Sequence, residues 1–288
     1  MTDGAGGTLY IVATPIGNLA DISLRALDVL GAVPLIAAED TRMTRRLLAR
    51  HDIDTRLTSY HARSAPARLA ELLEHLRGGS DLALVTDAGT PAVSDPGADL
   101  VTAWADAGGR VVPIPGASAV LAAVAASGIV GPRWTFEGFL PRSGRERRAR
   151  LAAIAADPRG TVLFEAPGRV AATVRDLAAA CGESRAGAVA RELTKIHEQV
   201  VRGTLGSLVD AVDNGSIPAR GEFVVVVGMG EPAGPAQSTL EADLDAAREA
   251  VDRLVADGVA RGEAARRVAA ETGLPRRRLY GGSDVVGS

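Results

Sequence analysis

Along the first half of the chain, apolar runs of four or five residues alternate with longer segments whose apolar positions recur every three or four residues. Residues 9–13, 35–38, 82–86 and 110–114 read as short strands, with 57–60 a weaker fifth. The intervening spacing predicts helices. Leu24, Leu27 and Leu30 mark one, capped by Asp21 or Ser23, and Leu47 and Leu48 mark the next. Leu69, Leu72, Leu73 and Leu76 form a third stripe, stopped by Gly78 and Gly79. A fourth helix covers 99–107, and Ser118 caps a fifth made largely of small residues. This alternation is that of βαβ units, hence an open, mostly parallel sheet.

The second half breaks that rhythm. After a turn at Gly131 and Pro132, strands are expected at 134–140, 161–164, 186–191 and 223–227, the last being the strongest strand pattern in the chain. Residues 197–202 alternate and suit an antiparallel partner. Helices are expected at 144–156, up to Ala180, and at 205–212. Hairpins mixed with helices predict a mixed sheet. A Pro/Gly-rich linker at 229–238 leads to an amphipathic helix with Leu240, Leu244, Val251, Leu254 and Val255, then a second helix at 261–272 and the basic start of a third at 275–280. Residues 1–7 read as a flexible lead-in and 281–288 as a disordered tail. The expected fold class is α/β: an N-terminal α/β domain over 8–127, a C-terminal α/β domain over 134–229, and a small helical extension over 239–280, helix-turn-helix-like in pattern.

The candidate chemistry gathers at strand ends, where open α/β sheets bind ligands. Three such loops are rich in Gly, Pro and small polar residues: 14–19, 87–97 and 115–118. If they share one edge they line one cleft. None carries the GxGxxG fingerprint or a P-loop ending, so a phosphate cradle is not indicated. Glu39 and Asp40 at a helix start serve either the helix dipole or a site. His61 is either a surface residue or a substrate contact. Arg142, Arg145, Arg147, Arg148 and Arg150 form a dense basic cluster that suits a phosphate backbone or a solvated helix face. Glu165, Arg191, Glu192, Lys195 and Glu222 form an acid–basic group whose spacing alone assigns no role.

Composition narrows the choices. The 288 residues are 47% apolar and 3% aromatic, with a formal net charge of −3, which argues against a wholly basic nucleic-acid binder and allows a local basic patch. The single cysteine, Cys181, excludes an intrachain disulfide framework, and the four histidines lack metal-ligand spacing, so no metal is expected. No apolar run reaches membrane-spanning length, so a cytoplasmic protein without membrane association is the expectation.

The ordered motifs resemble a known family. The stretches are 9–22, Glu39-Asp40-Thr41-Arg42, Asp87-Ala88-Gly89-Thr90-Pro91, Asp95-Pro96-Gly97, Pro115-Gly116, 136–141, 191–195 and Gly221-Glu222. They are similar to those of the ribosomal RNA small subunit methyltransferase I family within the tetrapyrrole methylase superfamily. The resemblance implies two α/β domains with S-adenosylmethionine between them, and methylation of a ribose 2′-hydroxyl on a decoding-region cytidine of 16S rRNA, in the 30S subunit. By the same resemblance, Pro15 and Gly17 line the cleft. Asp87, Ala88, Gly89, Thr90, Ser94 and Asp95 form the main cofactor loop, and Gly116, Ala117 and Ser118 the next contact. Residues near Phe139, Leu140, Ala166, Ala190 and Glu222 contribute from the second domain. Relatives usually carry Ser-Pro-His where this chain has Ala166-Pro167-Gly168.

Such a reaction needs positioning of an activated methyl group and help in removing the hydroxyl proton. Lys195, Glu192, Asp40 and Glu165 are the candidates for that help. Arg42, Arg142, Arg145, Arg147, Arg148 and Arg191 are the candidates for substrate binding. A homodimer is a further expectation. Two other readings stay open: a methylase of a small tetrapyrrole, disfavoured by the basic cluster, and a non-catalytic RNA-binding ribosome-assembly module, separable by cofactor binding.

Overall fold

The computed structural model describes residues 6–64, 66–230 and 237–279, without the side chains of 237–243 and 277. The expectations for residues 1–5 and 281–288, for Tyr280, for the middle of the 229–238 linker and for the Leu240 side chain lie outside the described residues. The chain divides into two compact units, Met1–Gly230 and Glu231–Ser288.

In the first unit, β1 (Thr8–Val12), α1 (Leu24–Ala32), β2 (Leu35–Ala38), α2 (Thr41–Arg50), β3 (Leu57–Ser59), α3 (Pro66–Arg77), β4 (Leu82–Val85), α4 (Ala98–Asp106), β5 (Arg110–Ile114) and α5 (Ala119–Ser127) follow the predicted alternation. The strands form one sheet in the order β3-β2-β4-β1-β5, and every pairing is parallel. Leu9, Ala37, Leu82 and Leu84 lie in one core cluster, while Val12, Ile36, Ala38, Ala83 and Val85 lie in another. Successive residues point to opposite faces of a strand, so continuous apolar runs mark a sheet covered on both sides. Ser23 caps α1, its hydroxyl accepting from the Ala26 N–H.

The remaining elements of this unit are β6 (Trp134–Phe139), α6 (Gly144–Ala156), β7 (Gly160–Glu165), α7 (Val170–Cys181), β8 (Ala186–Arg191), β9 (Gln199–Thr204), α8 (Leu205–Asp213) and β10 (Phe223–Val227). Their sheet has the order β6-β7-β10-β8-β9. It is mixed: β6 and β7 run parallel, and every other pair is antiparallel. Val120 and Ala123 of α5, with Ile16 from the loop after β1, pack on Val162, Ala188, Val224 and Val226 of this second sheet. That apolar seam places the carboxyl edge of the first sheet against the second.

Two buried arginines hold the second sheet's helices. Arg147 of α6 donates to the Asp176 carboxylate (2.7 and 2.9 Å), the Thr173 hydroxyl (3.0 Å) and the Pro141 carbonyl (3.0 Å). Arg185 donates to backbone carbonyls, among them those of Ile154 and Ala155 at the end of α6 and that of Gly228. It serves as a cationic cap on the negative end of the α6 dipole.

The second unit contains α9 (Gln237–Ala256) and α10 (Arg261–Thr272), packed through Leu244, Ala247, Val251, Ala264, Ala265 and Val268. Where a third helix was expected, Arg276–Arg278 form only a single 3-10 turn. Among the described residues, no helix is long and apolar enough to cross a membrane.

Because Arg147 is buried and fully engaged, Arg147→Ala should leave the half-exposed Asp176 without its cation and Thr173 with Glu165 alone, and cost about 2 kcal/mol of stability. Urea unfolding checks this, with Arg148→Ala, an exposed neighbour, expected to stay within roughly 0.5 kcal/mol of wild type.

Candidate functional site

Since β4 and β5 flank β1 in a parallel sheet, the loops that follow these three strands leave from one edge. Two hydrogen bonds join the first two loops: the Thr14 N–H donates to the Gly89 carbonyl (2.8 Å), and the Gly89 N–H donates back to Thr14 (3.0 Å). The Thr14 hydroxyl donates to the Thr86 carbonyl at 3.0 Å. Gly89 has a φ of +82°, a left-handed conformation open to glycine without strain. Farther along the loop Ala92 and Ser94 also hold left-handed φ values of 66° and 64°, so the surrounding structure over-determines this segment. The end of β2 is tied in as well, because the Asp40 N–H donates to Asp87 Oδ1 at 3.0 Å and the Asp87 N–H to Glu39 Oε2 at 3.4 Å.

These loops and the second sheet enclose a cavity of about 400 Å³. From the first half it is lined by Asp87, Ala88, Gly89, Thr90, Ser94, Asp95 and Ser118; from the second half by Ala166, Ala190 and Glu222. All of these were expected at a cofactor site from the resemblance. The other expected cofactor residues are not among those lining this cavity. Pro15 is buried within the first loop, and Gly116 backs onto Ala13. Ala117 packs in the seam core, while Leu140 sits 2% exposed in the core under α6 and α7. Gly17 lines a different, open hollow of about 850 Å³ together with Asn18, His51, Glu192 and Lys195.

The walls have one sign of charge. Glu39, Asp87, Asp95, Glu165 and Glu222 line the cavity, and among the described residues no Lys, Arg or His does. Burial pushes the Asp95 carboxyl up to about 6, helped by the field of Glu39. Glu39 and Asp87 are also shifted upward, each mainly by burial; the field of Asp87 adds to Glu39 and that of Asp40 to Asp87. Carboxylates raised in this way favour a positively charged guest. Among the described residues, no group of three or more His, Cys, Asp or Glu is arranged to hold a metal ion.

The four expected catalytic side chains sort into different roles. Glu165 is buried: its Oε2 accepts from the Thr173 hydroxyl (2.6 Å), its Oε1 accepts from the Ala166 N–H (2.8 Å), and Arg169 lies 3.2 Å away. It anchors the loop after β7. Asp40 caps α2 and pairs with Arg42, whose hydrogen bonds hold the carboxyl down at about 2. Lys195 Nζ bridges Glu192 Oε1 (2.9 Å) and Glu222 Oε2 (2.6 Å). Burial works against its charge, but the bonds to Glu222 and Glu192 outweigh that and raise its pKa above the usual lysine value. Glu192 is held below the usual carboxylate range, chiefly by its bond to Lys195.

This latch is built on strained backbone, with left-handed φ at Glu192 (50°) and Thr194 (68°). It closes through the Glu222 N–H, which donates to Glu192 Oε1 at 2.9 Å. Gly221 (φ 88°) leaves no room for a Cβ beside the Glu192 carboxylate. The expected substrate-binding arginines also divide. Arg191 is bonded to the carbonyls of Arg220 and His197, Arg42 is paired with Asp40, and Arg147 is interior. Arg142, Arg145 and Arg148 are exposed at the start of α6.

Glu39, Val93, Phe164, Leu193 and Phe223 also line the cavity and were not singled out as cofactor contacts from sequence. For Glu39 a signal was present: it ends the strand that neighbours β4, so strand order alone brings it to the Asp87 loop.

Residues 8–209 match the family described as Tetrapyrrole (Corrin/Porphyrin) Methylases. The ribosomal RNA small subunit methyltransferase I of Synechocystis is 46% identical over 274 residues, covering 95% of this chain and 96% of that protein. The protein of the same name from Bacillus subtilis is 39% identical over 274 residues, covering 95% and 93%. Among solved structures, a cobalt precorrin-4 methyltransferase of cobalamin biosynthesis aligns with a TM-score of 0.59 at 20% identity, covering 77% of this chain and 94% of that one. The uroporphyrin-III C-methyltransferase of Thermus thermophilus, complexed with S-adenosylhomocysteine, aligns at 0.55 and 19%, covering 77% and 97%. At these identities the structures bear on the fold, and it is the sequence relatives, alike over nearly their whole length, that place this chain in the ribosomal RNA small subunit methyltransferase I family of the tetrapyrrole methylases.

Proposed function

We propose that this methyltransferase binds S-adenosylmethionine in the acid-walled cavity and methylates the ribose 2′-hydroxyl of a decoding-region cytidine in 16S rRNA, presented by the 30S subunit. The observation that carries the cofactor reading is the charge of the walls. Five carboxylates line the cavity; Glu165 and Glu222 are paired with Arg169 and Lys195 just outside the lining, and Glu39, Asp87 and Asp95 have no ion-pair partner among the described contacts. A phosphate-bearing cofactor is repelled by such a lining. S-adenosylmethionine carries a sulfonium and an ammonium against a single carboxylate, so the donor set fits it. Its volume of about 400 Å³ is also within the range of small-molecule sites. The RNA reading rests on the names of the relatives and on exposed Arg142, Arg145 and Arg148. Residues 8–127 and 134–229 would act as the two cofactor-holding domains, with 239–280 as an appendage. The site needs no second copy on this reading; a homodimer in the cytoplasm is the assembly we expect.

When bound, the cofactor supplies a methyl group already activated for transfer, so the chain's task is to hold, orient and deprotonate. The Thr14–Gly89 bridge fixes the floor on which the ligand rests. Lys195 stays cationic, and Glu222, bonded to it, lines the cavity. A hydroxyl placed beside Nζ has its pKa lowered by that charge. Glu222 Oε2 is then the exposed acceptor for the proton, which leaves as the oxygen takes the methyl group. Asp40, depressed to about 2, and Glu165, bonded through both oxygens, are not suited to take that proton.

The first test is methyl transfer from labelled S-adenosylmethionine to unmodified 30S subunits. Label on a cytidine 2′-oxygen of 16S rRNA is expected, and label on tetrapyrroles alone would overturn the reading. Lys195→Met should lower kcat about a hundredfold while cofactor binding changes little, as for a group acting on the transition state. Gly89→Leu should abolish cofactor binding, read by calorimetry, with an unchanged circular dichroism spectrum. Asp95 gives a pH dependence. Its free-state pKa of about 6 means it is protonated below that pH, and a cationic ligand favours the ionised form. Affinity should therefore rise from pH 5 to 7, by roughly tenfold or 1.4 kcal/mol. Asp95→Asn should flatten that rise.

A further inference from the structure

A groove of about 750 Å³ opens beside the cofactor cavity, lined by Arg142, Arg147, Gly168, Arg169, Thr173 and Asp176. Two further residues, Phe139 and Ala166, line both spaces, so the groove adjoins the cavity. We infer that this groove seats the RNA strand next to the target nucleotide, with a base stacked on Phe139 and a backbone phosphate on Arg142. The inference rests on the RNA-methylation reading and names the surface by which the substrate is held.

Three observations support it. Phe139 is 55% exposed although it ends a strand. Its ring is fixed from behind, tilted against Phe164 at 5.5 Å, which in turn meets Phe136 edge-on at 5.0 Å. An apolar ring held rigidly at the junction of two cavities is a ready platform for an unstacked base. The groove's cations come next. Arg147 is bound to Asp176 and Thr173, and Arg169 to the Leu140 carbonyl and Glu165, so these two form a fixed wall. Arg142 is exposed and has no partner among the described contacts, so its guanidinium is free for a phosphate. Arg145 and Arg148 continue the positive edge outward along α6. Finally, Gly168 has open space where a Cβ would stand and does not adopt a left-handed φ. The chain therefore leaves the groove empty at a position where a side chain would be sterically tolerated.

That bare position provides the test. Gly168→Leu projects into the groove without backbone strain, Arg142→Ala removes the free cation, and Phe139→Ala removes the platform. Each full-length variant is compared with wild type by thermal unfolding, by calorimetry with S-adenosylhomocysteine, and by steady-state methylation of 30S subunits. Expected are unchanged unfolding midpoints and KM for 30S raised tenfold or more in all three, with S-adenosylhomocysteine affinity within about threefold for Gly168→Leu and Arg142→Ala, neither of which lines the cofactor cavity. Arg142→Ala should also reduce the salt dependence of RNA binding by roughly one phosphate contact. Wild-type KM in both Gly168→Leu and Arg142→Ala would overturn the groove while leaving the RNA reading intact. Loss of S-adenosylhomocysteine binding in Phe139→Ala, with normal KM for 30S in the other two, would assign the ring to the cofactor and overturn the inference. A wild-type protein that methylates no RNA would overturn both this inference and the reading beneath it.

Discussion

Much of this site hangs on two backbone hydrogen bonds between Thr14 and Gly89. They link the ends of β1 and β4, adjacent strands of a parallel sheet, so two loops far apart in sequence behave as one surface. A parallel sheet makes this possible, since all its strands end at the same edge. The remaining requirement is conformational. Gly89 adopts φ +82° freely, while Ala92 and Ser94 are forced into the same region a few residues on. A loop strained in this way keeps its shape only because its neighbours leave it no alternative.

The second sheet supplies the opposite wall by a different device. Its strands are mostly antiparallel, so its functional residues come from the strand ends that face the seam made by Ile16, Val120 and Ala123. There Glu192, Lys195 and Glu222 interlock, and Gly221 is needed because a Cβ would collide with the Glu192 carboxylate. The Asn18 N–H donates to the Thr194 hydroxyl at 3.1 Å, so the first half's loop is stitched to this latch. One side of the cavity is thus set by sheet topology and the other by a charge cluster held on strained backbone.

The parallel half was legible because each strand is a short, unbroken apolar run and each helix a clean stripe. The pairing order β6-β7-β10-β8-β9 was not, because registers such as Phe223 opposite both Glu165 and Arg191 join segments tens of residues apart. Charged residues show where a linear pattern stops. Arg147 stands among four other arginines, yet it shares a stripe with Leu151 and Ile154, four and seven positions on, and that stripe is the buried one. Asp40 and Glu165 sit where catalytic acids sit, at strand ends, but one caps a helix and the other fixes a loop. Burial and bonding separate such roles, and a linear pattern contains neither. The acid-walled cavity was only partly readable, since Glu39 reaches it through strand order.

A lining with the unpaired carboxylates Glu39, Asp87 and Asp95, and with no cation among the described residues, grips a guest more tightly the greater the guest's positive charge. Methyl transfer turns a sulfonium into a neutral thioether, so the spent cofactor carries one positive charge fewer than the fresh one. On charge alone, these walls favour the molecule that still has a methyl group to give. On the proposed assignment of the cavity, the same electrostatics that attract the fresh cofactor weaken the hold on the spent one.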